Sequence, residues 1–409
     1  MNIAFVTREY PPSKRAGGIA TYILETAKVL SKNNHNVYVI AASDDIQKET
    51  ESVEDNIHLI RLAGGDFYIP VSNRKIDKIR SRLRSIFCYW SYRKRVTEIL
   101  NRLIIEKGID IVEFAEYGNE MDHWLRNNQY QIPFVVRLHG PTIFDRATCE
   151  TVSFLRKPIN WFLGHREIQC ALKANAISSP TRALAEIFLS MSDAERKIEI
   201  IPNAVCTDEW NPSIKAKGKS CIIQIFSAGS IVETKGFKDL LDACLLLRDL
   251  NFEINLAFAG KMGMLGERLL TLAETVDYKN WFSVLGPVQR DELKYHYTFS
   301  DVVVFASWWE NFPLVCVEAM ASGALVIGSS SGGMAEIIED GVDGFLVPPK
   351  SPQLLASKLK EVIELPKQSK DQIRMAASEK VKNKYDVKFV LKQQIEFYES
   401  VISKTIGKQ

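Results

Sequence analysis

The sequence has no long apolar run, no cysteines at metal-binding spacing and little net charge. Its seven cysteines are scattered along 409 residues, and an odd, dispersed set indicates reduced thiols rather than a disulfide framework. No apolar run approaches the ~20 residues that a membrane-spanning helix needs. A net charge of +2 gives no reason to expect nucleic acid as a partner.

The N-terminal residues and the glycine pattern exclude two further classes. The chain starts with a short strand pattern at residues 2–7, not with the basic and apolar regions of a secretory signal. We therefore expect a cytoplasmic protein. There is no Gly-x-Gly-x-x-Gly sequence, which argues against a site for a nicotinamide or flavin dinucleotide.

Length and periodicity predict an α/β protein of two domains. A chain of 409 residues is too long for one ordinary core. Short β-branched strands alternate with amphipathic helices, the pattern of doubly wound parallel sheets. The alternation restarts after a polar stretch at 208–220, which we interpret as a linker. The predicted units are an N-terminal Rossmann-like domain at 1–207, a C-terminal one at 208–385 and a last helix within 386–409.

Thirteen strands are predicted from apolar, β-branched runs. They are 3–7, 37–41, 57–62, 109–114, 134–138, 176–178, 198–201, 221–227, 253–259, 282–285, 302–305, 325–328 and 345–347. In doubly wound sheets ligands bind at the carboxyl ends of the strands. We therefore expect a ligand in a cleft between the two domains.

Two glutamates eight residues apart are the most informative feature. Glu310 follows the predicted strand 302–305, and Pro313 fits the first position of a helix that reaches about Ser322. Glu318 then lies about one and a half turns into that helix, where a charge among apolar residues needs a partner. The helix N-terminus between them offers unpaired amides to an anion. Such an arrangement suits a ligand with both hydroxyls and phosphates, such as a nucleotide sugar.

A set of short motifs, in this order along nearly the whole chain, resembles a known family. The motifs are Tyr10-Pro11-Pro12 with Gly17-Gly18, Leu138-His139-Gly140, Ile201-Pro202-Asn203-Ala204-Val205, Gly229 with Lys235-Gly236, Glu310 to Glu318, and Gly332-Gly333-Met334-Ala335-Glu336 with Gly341 and Gly344. The chain resembles the retaining glycosyltransferases of the GT-B fold, in the family-four or group 1 type. The resemblance implies two Rossmann-like domains facing each other across a cleft, with the C-terminal helix crossing back to the first domain.

The resemblance also implies a role for each matching residue. At the donor diphosphate it places Gly17, Gly18, Lys235 and the amides of Leu314 and Val315; at the donor sugar, His139, Glu310, Asn311 and Phe312; at the nucleoside, Glu318, Gly286 and Val288. The catalytic residues it implies are His139, Lys235 and Glu310. Glycines let the backbone approach a pyrophosphate closely, and a lysine near the leaving diphosphate stabilises its developing charge.

One position departs from the family. Members commonly carry an arginine directly after the first glycine of the Gly229 motif, and here that residue is Ser230. Arg8 or Arg182 is a candidate to compensate. No Asp-x-Asp sequence lies where a metal would bridge the diphosphate, so we expect neither a metal nor another cofactor. The helix dipole and the Lys235 ammonium would replace the metal ion at the diphosphate.

Two residues with weaker evidence for a role at the ligand, and a basic stretch, complete the sequence-based expectations. Asn203 is expected to shape the hinge, and Glu336 to cap its own helix. Between Arg74 and Arg95, nine basic residues accompany one acid, and one helical face carries Ile76, Ile79, Leu83, Ile86, Phe87 and Trp90. This basic amphipathic stretch fits an anionic membrane surface, and equally a helix packed on the core.

The expected function is that of a retaining glycosyltransferase. It would move a sugar from a nucleoside-diphosphate sugar to a glycan, a lipid-linked or another glycoconjugate acceptor, in bacterial surface polysaccharide biosynthesis. It would act in the cytoplasm or at the inner face of the cell membrane. Two alternatives stay open: a GT-B-like nucleotide-sugar epimerase, and a catalytically inactive sugar-nucleotide-binding protein, which the presence of Ser230 supports.

Overall fold

The computed structural model describes residues 1–13, 17–45, 48–64, 75–127, 131–145, 149–151, 153–155, 157–210 and 222–407, and for 75–88 and 151 the backbone only. The strands are β1 (Asn2–Val6), β2 (Asn36–Ala42), β3 (Thr50–Glu54), β4 (Ile57–Leu62), β5 (Ile111–Ala115), β6 (Phe134–Arg137), β7 (Phe144–Asp145), β8 (Glu150–Thr151), β9 (Ala176–Ser179), β10 (Ile198–Ile200), β11 (Ile223–Ala228), β12 (Ile254–Ala259), β13 (Phe282–Gly286), β14 (Val302–Phe305), β15 (Val326–Ser329) and β16 (Phe345–Val347).

The helices alternate with these strands. They are α1 (Gly18–Lys32), α2 (Lys75–Lys107), α3 (Met121–Asn127), α4 (Pro158–Ala171), α5 (Arg182–Ser192), α6 (Phe237–Asp249), α7 (Met264–Ala273), α8 (Arg290–Phe299), α9 (Leu314–Ala321), α10 (Met334–Ile337), α11 (Pro352–Glu364), α12 (Lys367–Lys384) and α13 (Val387–Ile406). A single 3-10 turn, Glu233–Lys235, precedes α6.

Two doubly wound sheets organise the chain. The first has the order β10-β9-β6-β5-β1-β2-β4-β3, and the second the order β13-β12-β11-β14-β15-β16. Every pairing in them is parallel except that of β3 with β4. The strand order reverses between β1 and β5 and between β11 and β14, and ligands bind at such switch points. The predicted fold class is confirmed.

The last helix, α13, packs on the first sheet although it follows the second. Its residues Leu391, Tyr398 and Val401 are buried in one apolar cluster with Phe5 of β1. The Tyr398 hydroxyl donates to Oε2 of the buried Glu113, 2.7 Å away. The return of the terminal helix to the first domain is therefore confirmed.

The chain passes between the two sheets twice, and the two passages run side by side. The Val205 amide donates to the Tyr385 carbonyl (2.9 Å), and the Val387 amide donates to the Val205 carbonyl (3.0 Å). The Thr207 hydroxyl donates to the Asp386 carboxylate at 2.5 Å. Most of the expected linker lies outside the described residues, and the domain boundaries stay a prediction.

All thirteen predicted strands are present, with ends shifted by two residues or fewer. The structure adds the edge strand β3 and the β7–β8 hairpin. Strand β3 has the sequence Thr-Glu-Ser-Val-Glu, and four of its five residues are exposed. It has no apolar face, so hydrophobic periodicity carries no signal for it.

The basic stretch belongs to the long helix α2. Tyr89 and Tyr92 are buried against the first sheet and are not available to a membrane, whereas Trp90 is 53% exposed. The other members of the predicted apolar face lie outside the described side chains. Within the described residues, no helix has the length and apolarity needed to cross a bilayer.

Candidate active site

A cleft of about 700 Å³ is bordered by residues that follow the carboxyl ends of strands in both sheets. Seven of the twelve predicted site residues line it: Gly17, Gly18, His139, Lys235, Glu310, Asn311 and Phe312. The other five are absent from the described lining: Leu314, Val315, Glu318, Gly286 and Val288. The structure thus brings together, from opposite domains, the four residues predicted at the sugar and three of the five predicted at the diphosphate.

Lys235 and Glu310 form an ion pair in the cleft wall. Lys235 lies in the turn after β11 and Glu310 in the loop after β14, and these two strands are neighbours at the switch point. The Ser307 hydroxyl also donates to Oε1 of Glu310 at 2.8 Å. Glu310 is only 9% exposed, so its carboxylate is held by two named partners rather than by bulk water.

The loop that carries Glu310 is held by the glycine pair of the next loop. The Gly333 amide donates to the Glu310 carbonyl at 2.7 Å. A Cβ on Gly333 would overlap the Asn311 carbonyl oxygen, and one on Gly332, whose φ is +56°, would overlap the Glu310 carbonyl oxygen. Only residues without a side chain allow this approach, which gives the motif a structural reason.

Asn311 connects the two domains. Its Nδ2 donates to the His139 carbonyl at 2.5 Å, and the Thr181 hydroxyl donates to the Asn311 carbonyl at 2.9 Å. The rings of Phe144 and Trp309 also meet across the domains, with centroids 5.1 Å apart. Asn311, predicted at the donor sugar, therefore also sets the distance between the loops that carry His139 and Glu310.

Glu336 caps a helix of the opposite domain. Its carboxylate accepts the amides of Arg182 (2.9 Å) and Ala183 (2.6 Å) in the first turn of α5. The expectation that Glu336 caps its own helix was wrong. The first-turn amides of α5 need acceptors, and the fold brings this carboxylate to them from the second domain.

A buried glutamate that the sequence analysis missed holds the His139 turn. Both oxygens of Glu116 accept the His139 amide at 2.7 Å, and Oε1 accepts the Gly140 amide at 2.5 Å. Burial raises the pKa of Glu116 to about 8, and the two amides oppose the rise. Glu116 lies directly after β5, at the switch point of the first sheet, and this position could have identified it from the sequence as a candidate site residue.

Around the start of α8 lies the predicted nucleoside region. Burial raises the pKa of Glu318 to about 7, although the positive charge of Arg290 opposes the rise. Arg290 begins α8, four residues after Gly286, and pairs with Glu209 and, at 3.6 Å, with Glu25 of α1. The Arg290 charge thus favours the ionised form of Glu318, while the described ion pairs of Arg290 are with Glu209 and Glu25.

Neither candidate for the second cation lies in the cleft lining. Arg8 is buried in the first domain, where its Nε pairs with Glu120 at 2.7 Å. Arg182 is an exposed residue at the start of α5. Asn203 does line the cleft and accepts a hydrogen bond from Nη2 of the buried Arg137 at 2.8 Å, next to the passage between the domains.

Gly18 offers a test of the space predicted for the diphosphate. It is the first residue of α1, and a Cβ built on it meets no atom of the described residues within 4 Å. We expect Gly18→Ala to keep or raise the free energy of unfolding, by up to about 1 kcal/mol, because alanine favours a helix. The methyl group would intrude on the ligand, so affinity for a nucleoside diphosphate should fall roughly tenfold in calorimetric titration. Unchanged affinity would remove Gly18 from the site.

Four of the predicted residues outside the described lining have no role that the structure tests. The Leu314 amide at the start of α9 donates to the Phe312 carbonyl at 3.1 Å. Roles for Leu314, Val315, Gly286 and Val288 stay predictions. In the part of the chain that the structure describes, no three His, Cys, Asp or Glu side chains are placed to hold a metal ion, and metal independence stays a prediction too.

Comparison with known proteins agrees with this geometry. The family described as Glycosyltransferase Family 4 matches residues 16–209, and the family described as Glycosyl transferases group 1 matches residues 211–379. An uncharacterized glycosyltransferase of Methanocaldococcus jannaschii is 27% identical in an alignment 371 residues long that covers 87% of this chain and 87% of its own. The D-inositol 3-phosphate glycosyltransferase of Xylanimonas cellulosilytica is 24% identical and covers 86% of this chain and 84% of its own.

Solved structures share the fold over almost the whole chain. Sucrose-phosphate synthase from Thermosynechococcus elongatus superposes with a TM-score of 0.79 at 17% identity, over 99% of this chain and 100% of its own. Anabaena HepE in complex with UDP and glucose gives a TM-score of 0.69 at 17% identity, over 98% and 100%. The two family models together match 16–209 and 211–379, so the chain belongs to the group 1 glycosyltransferases, and the solved structures show that it has the two-domain GT-B fold.

Proposed function

We propose that the protein is a retaining, metal-independent glycosyltransferase that uses a nucleoside-diphosphate sugar. One observation carries the proposal: the Lys235–Glu310 pair of the second domain shares one cleft with Gly17, Gly18 and His139 of the first. Structural relatives support the choice of donor, since HepE was crystallised with UDP-glucose and a trehalose-6-phosphate protein from E. coli is bound with UDP-2-fluoro glucose.

The donor would lie across the cleft with its diphosphate beside Lys235. The Gly17–Gly18 backbone, which begins α1, would face the phosphates, because a helix N-terminus favours an anion. The sugar would meet Glu310, Asn311, Phe312 and His139, and the nucleoside would extend toward Glu318, where the ribose hydroxyls find a carboxylate acceptor. Residues Gly286 and Val288 would contact the base.

Transfer replaces one bond to the anomeric carbon by another. The bond to the diphosphate oxygen breaks as the acceptor hydroxyl oxygen attacks on the same face, and the hydroxyl proton passes to the leaving phosphate. Negative charge grows on the diphosphate during this step, and the Lys235 ammonium stabilises it. Contacts between the domains at Asn311 and Glu336 help to exclude water from the donor.

The acceptor would be a glycan, lipid-linked or other glycoconjugate, in bacterial surface polysaccharide biosynthesis on the cytoplasmic side. One relative has the name D-inositol 3-phosphate glycosyltransferase, which contains a small phosphorylated polyol. An anionic membrane surface remains a proposed partner of residues 74–95. Charge reversal at Arg80, Arg82 and Arg84 should then reduce flotation with anionic liposomes.

A thermal-shift panel tests the donor class directly. Nucleoside diphosphates and their sugars are added one at a time, each with and without a chelator. A ligand at 100 times its Kd stabilises the native state by about 2.7 kcal/mol, so the matching base should raise the melting temperature, and the chelator should not change the shift. No shift with any nucleotide would overturn the proposal, and a shift lost on chelation would overturn metal independence.

Product analysis separates transfer from its alternatives. Incubation with the identified donor alone should leave the sugar configuration unchanged. An epimerised nucleotide sugar would instead indicate an epimerase. Binding without transfer to any acceptor in a panel of glycans and lipid-linked sugars would indicate an inactive binding protein.

A further inference from the structure

We propose that Lys261 is the second cation for the donor diphosphate, supplied from the loop after β12 beside Ser230. This inference rests on the proposed function and names a phosphate-binding residue for the same cleft. The sequence motifs give no role to Lys261. The structure places it in the cleft lining together with Ser230, Thr234 and Lys235.

Strand pairing brings Lys261 next to Ser230. Strands β11 and β12 are parallel and in register up to Ala228 and Ala259, and pairing resumes at the bridge between Ile231 and Met262. Counting back one residue on each side sets Ser230 beside Lys261. A cation on the second segment can therefore reach the space that an arginine at position 230 would fill.

The side-chain direction follows from the same bridge. Ile231 is fully buried in the core of the second domain, and Met262 packs against that core. Side chains alternate along extended backbone, so the residues just before them, Ser230 and Lys261, point the other way. Both are found in the cleft wall, in agreement with this alternation.

The backbone of Lys261 is fixed even though its side chain is exposed. The Lys261 carbonyl accepts the Ile231 amide at 2.9 Å. Gly260 approaches Gly229 so closely that a Cβ there would overlap the Gly229 carbonyl oxygen. The turn after β12 is therefore held against the turn after β11, which fixes the backbone from which the Lys261 side chain reaches the cleft wall.

A diphosphate brings at least two negative charges, which one ammonium does not balance. Among the described residues in the lining, three lysines accompany three carboxylates: Lys157, Lys235 and Lys261 with Glu9, Asp145 and Glu310. Lys235 pairs with Glu310, and Lys157 pairs with Asp145 at 2.7 Å. Lys261 supplies a second ammonium on the wall that carries Lys235. We therefore assign to the Lys261 ammonium the role of the arginine that family members commonly carry at the position of Ser230.

The test compares diphosphate and nucleoside binding in three variants. Lys261→Met removes the charge, Lys261→Arg keeps it, and Lys238→Met is the matched control, since Lys238 pairs with Asp242 on α6 outside the lining. The probes are the nucleoside diphosphate that most stabilises the wild type and the corresponding nucleoside, each titrated calorimetrically at two salt concentrations.

We expect Lys261→Met to weaken diphosphate binding roughly tenfold, with a smaller salt dependence, and to leave nucleoside binding unchanged. Lys261→Arg and Lys238→Met should stay near the wild type. Unchanged diphosphate binding in Lys261→Met, or an equal loss for the nucleoside, would overturn this inference alone. A wild type that binds no nucleoside diphosphate would overturn the proposed function itself. Melting curves, and Lys261→Gln if the Met variant aggregates, confirm that the fold is retained.

Discussion

Replacing Lys235 by methionine is expected to lower kcat/KM by roughly 100- to 1,000-fold, which is the usual cost of removing one electrostatic stabiliser of a transition state. The ammonium lies in the wall of the cleft in contact with Glu310, where a diphosphate leaving group would gain charge. Most of the loss should appear in kcat, because the charge grows as the bond breaks. Steady-state kinetics with the identified donor measures it.

The ion pair complicates this variant, and a second substitution separates the two roles of Lys235. Methionine leaves the Glu310 carboxylate, only 9% exposed, with Ser307 as its one remaining named partner, at a cost to the free energy of unfolding of about 1–3 kcal/mol. Adding Glu310→Gln removes the unpaired charge, so the double variant should recover part of the stability but none of the activity.

Two results would contradict this account. Turnover near the wild-type value in Lys235→Met would show that the lysine does not act on the leaving group. Recovery of activity together with stability in the double variant would show that the loss in Lys235→Met came from the uncompensated Glu310 charge and that neither charge acts in catalysis. The variant Lys238→Met again provides a control for loss of a surface lysine.

Much of this site could be predicted from the sequence because its residues follow strands. Lys235 comes after β11 and Glu310 after β14, and parallel strands of a doubly wound sheet bring their carboxyl ends to one edge. The strands themselves were recognisable from short apolar, β-branched runs. The predicted helix start at Pro313 differs by one residue from the observed α9, which begins at Leu314 with Pro313 as its N-cap.

Contacts between the domains could not be predicted in the same way. Glu336 reaches the first turn of α5, 153 and 154 residues away along the chain, and a local helix signal suggested only a local cap. Arg290, whose charge acts on Glu318, and Lys261 are single charged residues in ordinary surroundings. Their significance depends on which loops the fold places side by side, and hydrophobic periodicity holds no information on that.

The buried Glu116 was missed because one acid after a strand is a weak signal, yet its replacement should have a large effect. Glu116→Ala removes the acceptor of the His139 and Gly140 amides, and buried unpaired amides cost about 1–3 kcal/mol each. The His139 turn would also shift, and a displacement of about 1 Å can cost 100-fold in rate. We expect kcat to fall by about that factor.

Glutamine at position 116 distinguishes a positioning role from a merely structural one. It keeps one oxygen to accept the amides, so Glu116→Gln should retain activity to within about tenfold while Glu116→Ala does not. Equal kcat in the alanine variant and the wild type, with both folded, would show that the turn holds His139 without help from the carboxylate.

The pH dependence of the free energy of unfolding provides an independent comparison of the wild type with Glu116→Gln. Because burial raises the pKa of Glu116 to about 8, from 4.5, the folded protein favours the protonated acid. Its contribution to stability is therefore complete below about pH 4.5 and is lost as the pH rises through 8. Each pH unit in that window changes the unfolding free energy by up to ~1.4 kcal/mol.

Glutamine does not titrate, so the wild type should lose about 2 kcal/mol relative to Glu116→Gln between pH 6 and 8, measured by urea denaturation. A difference between the two proteins that does not change with pH would mean that Glu116 is ionised throughout, held in that form by the amides of His139 and Gly140.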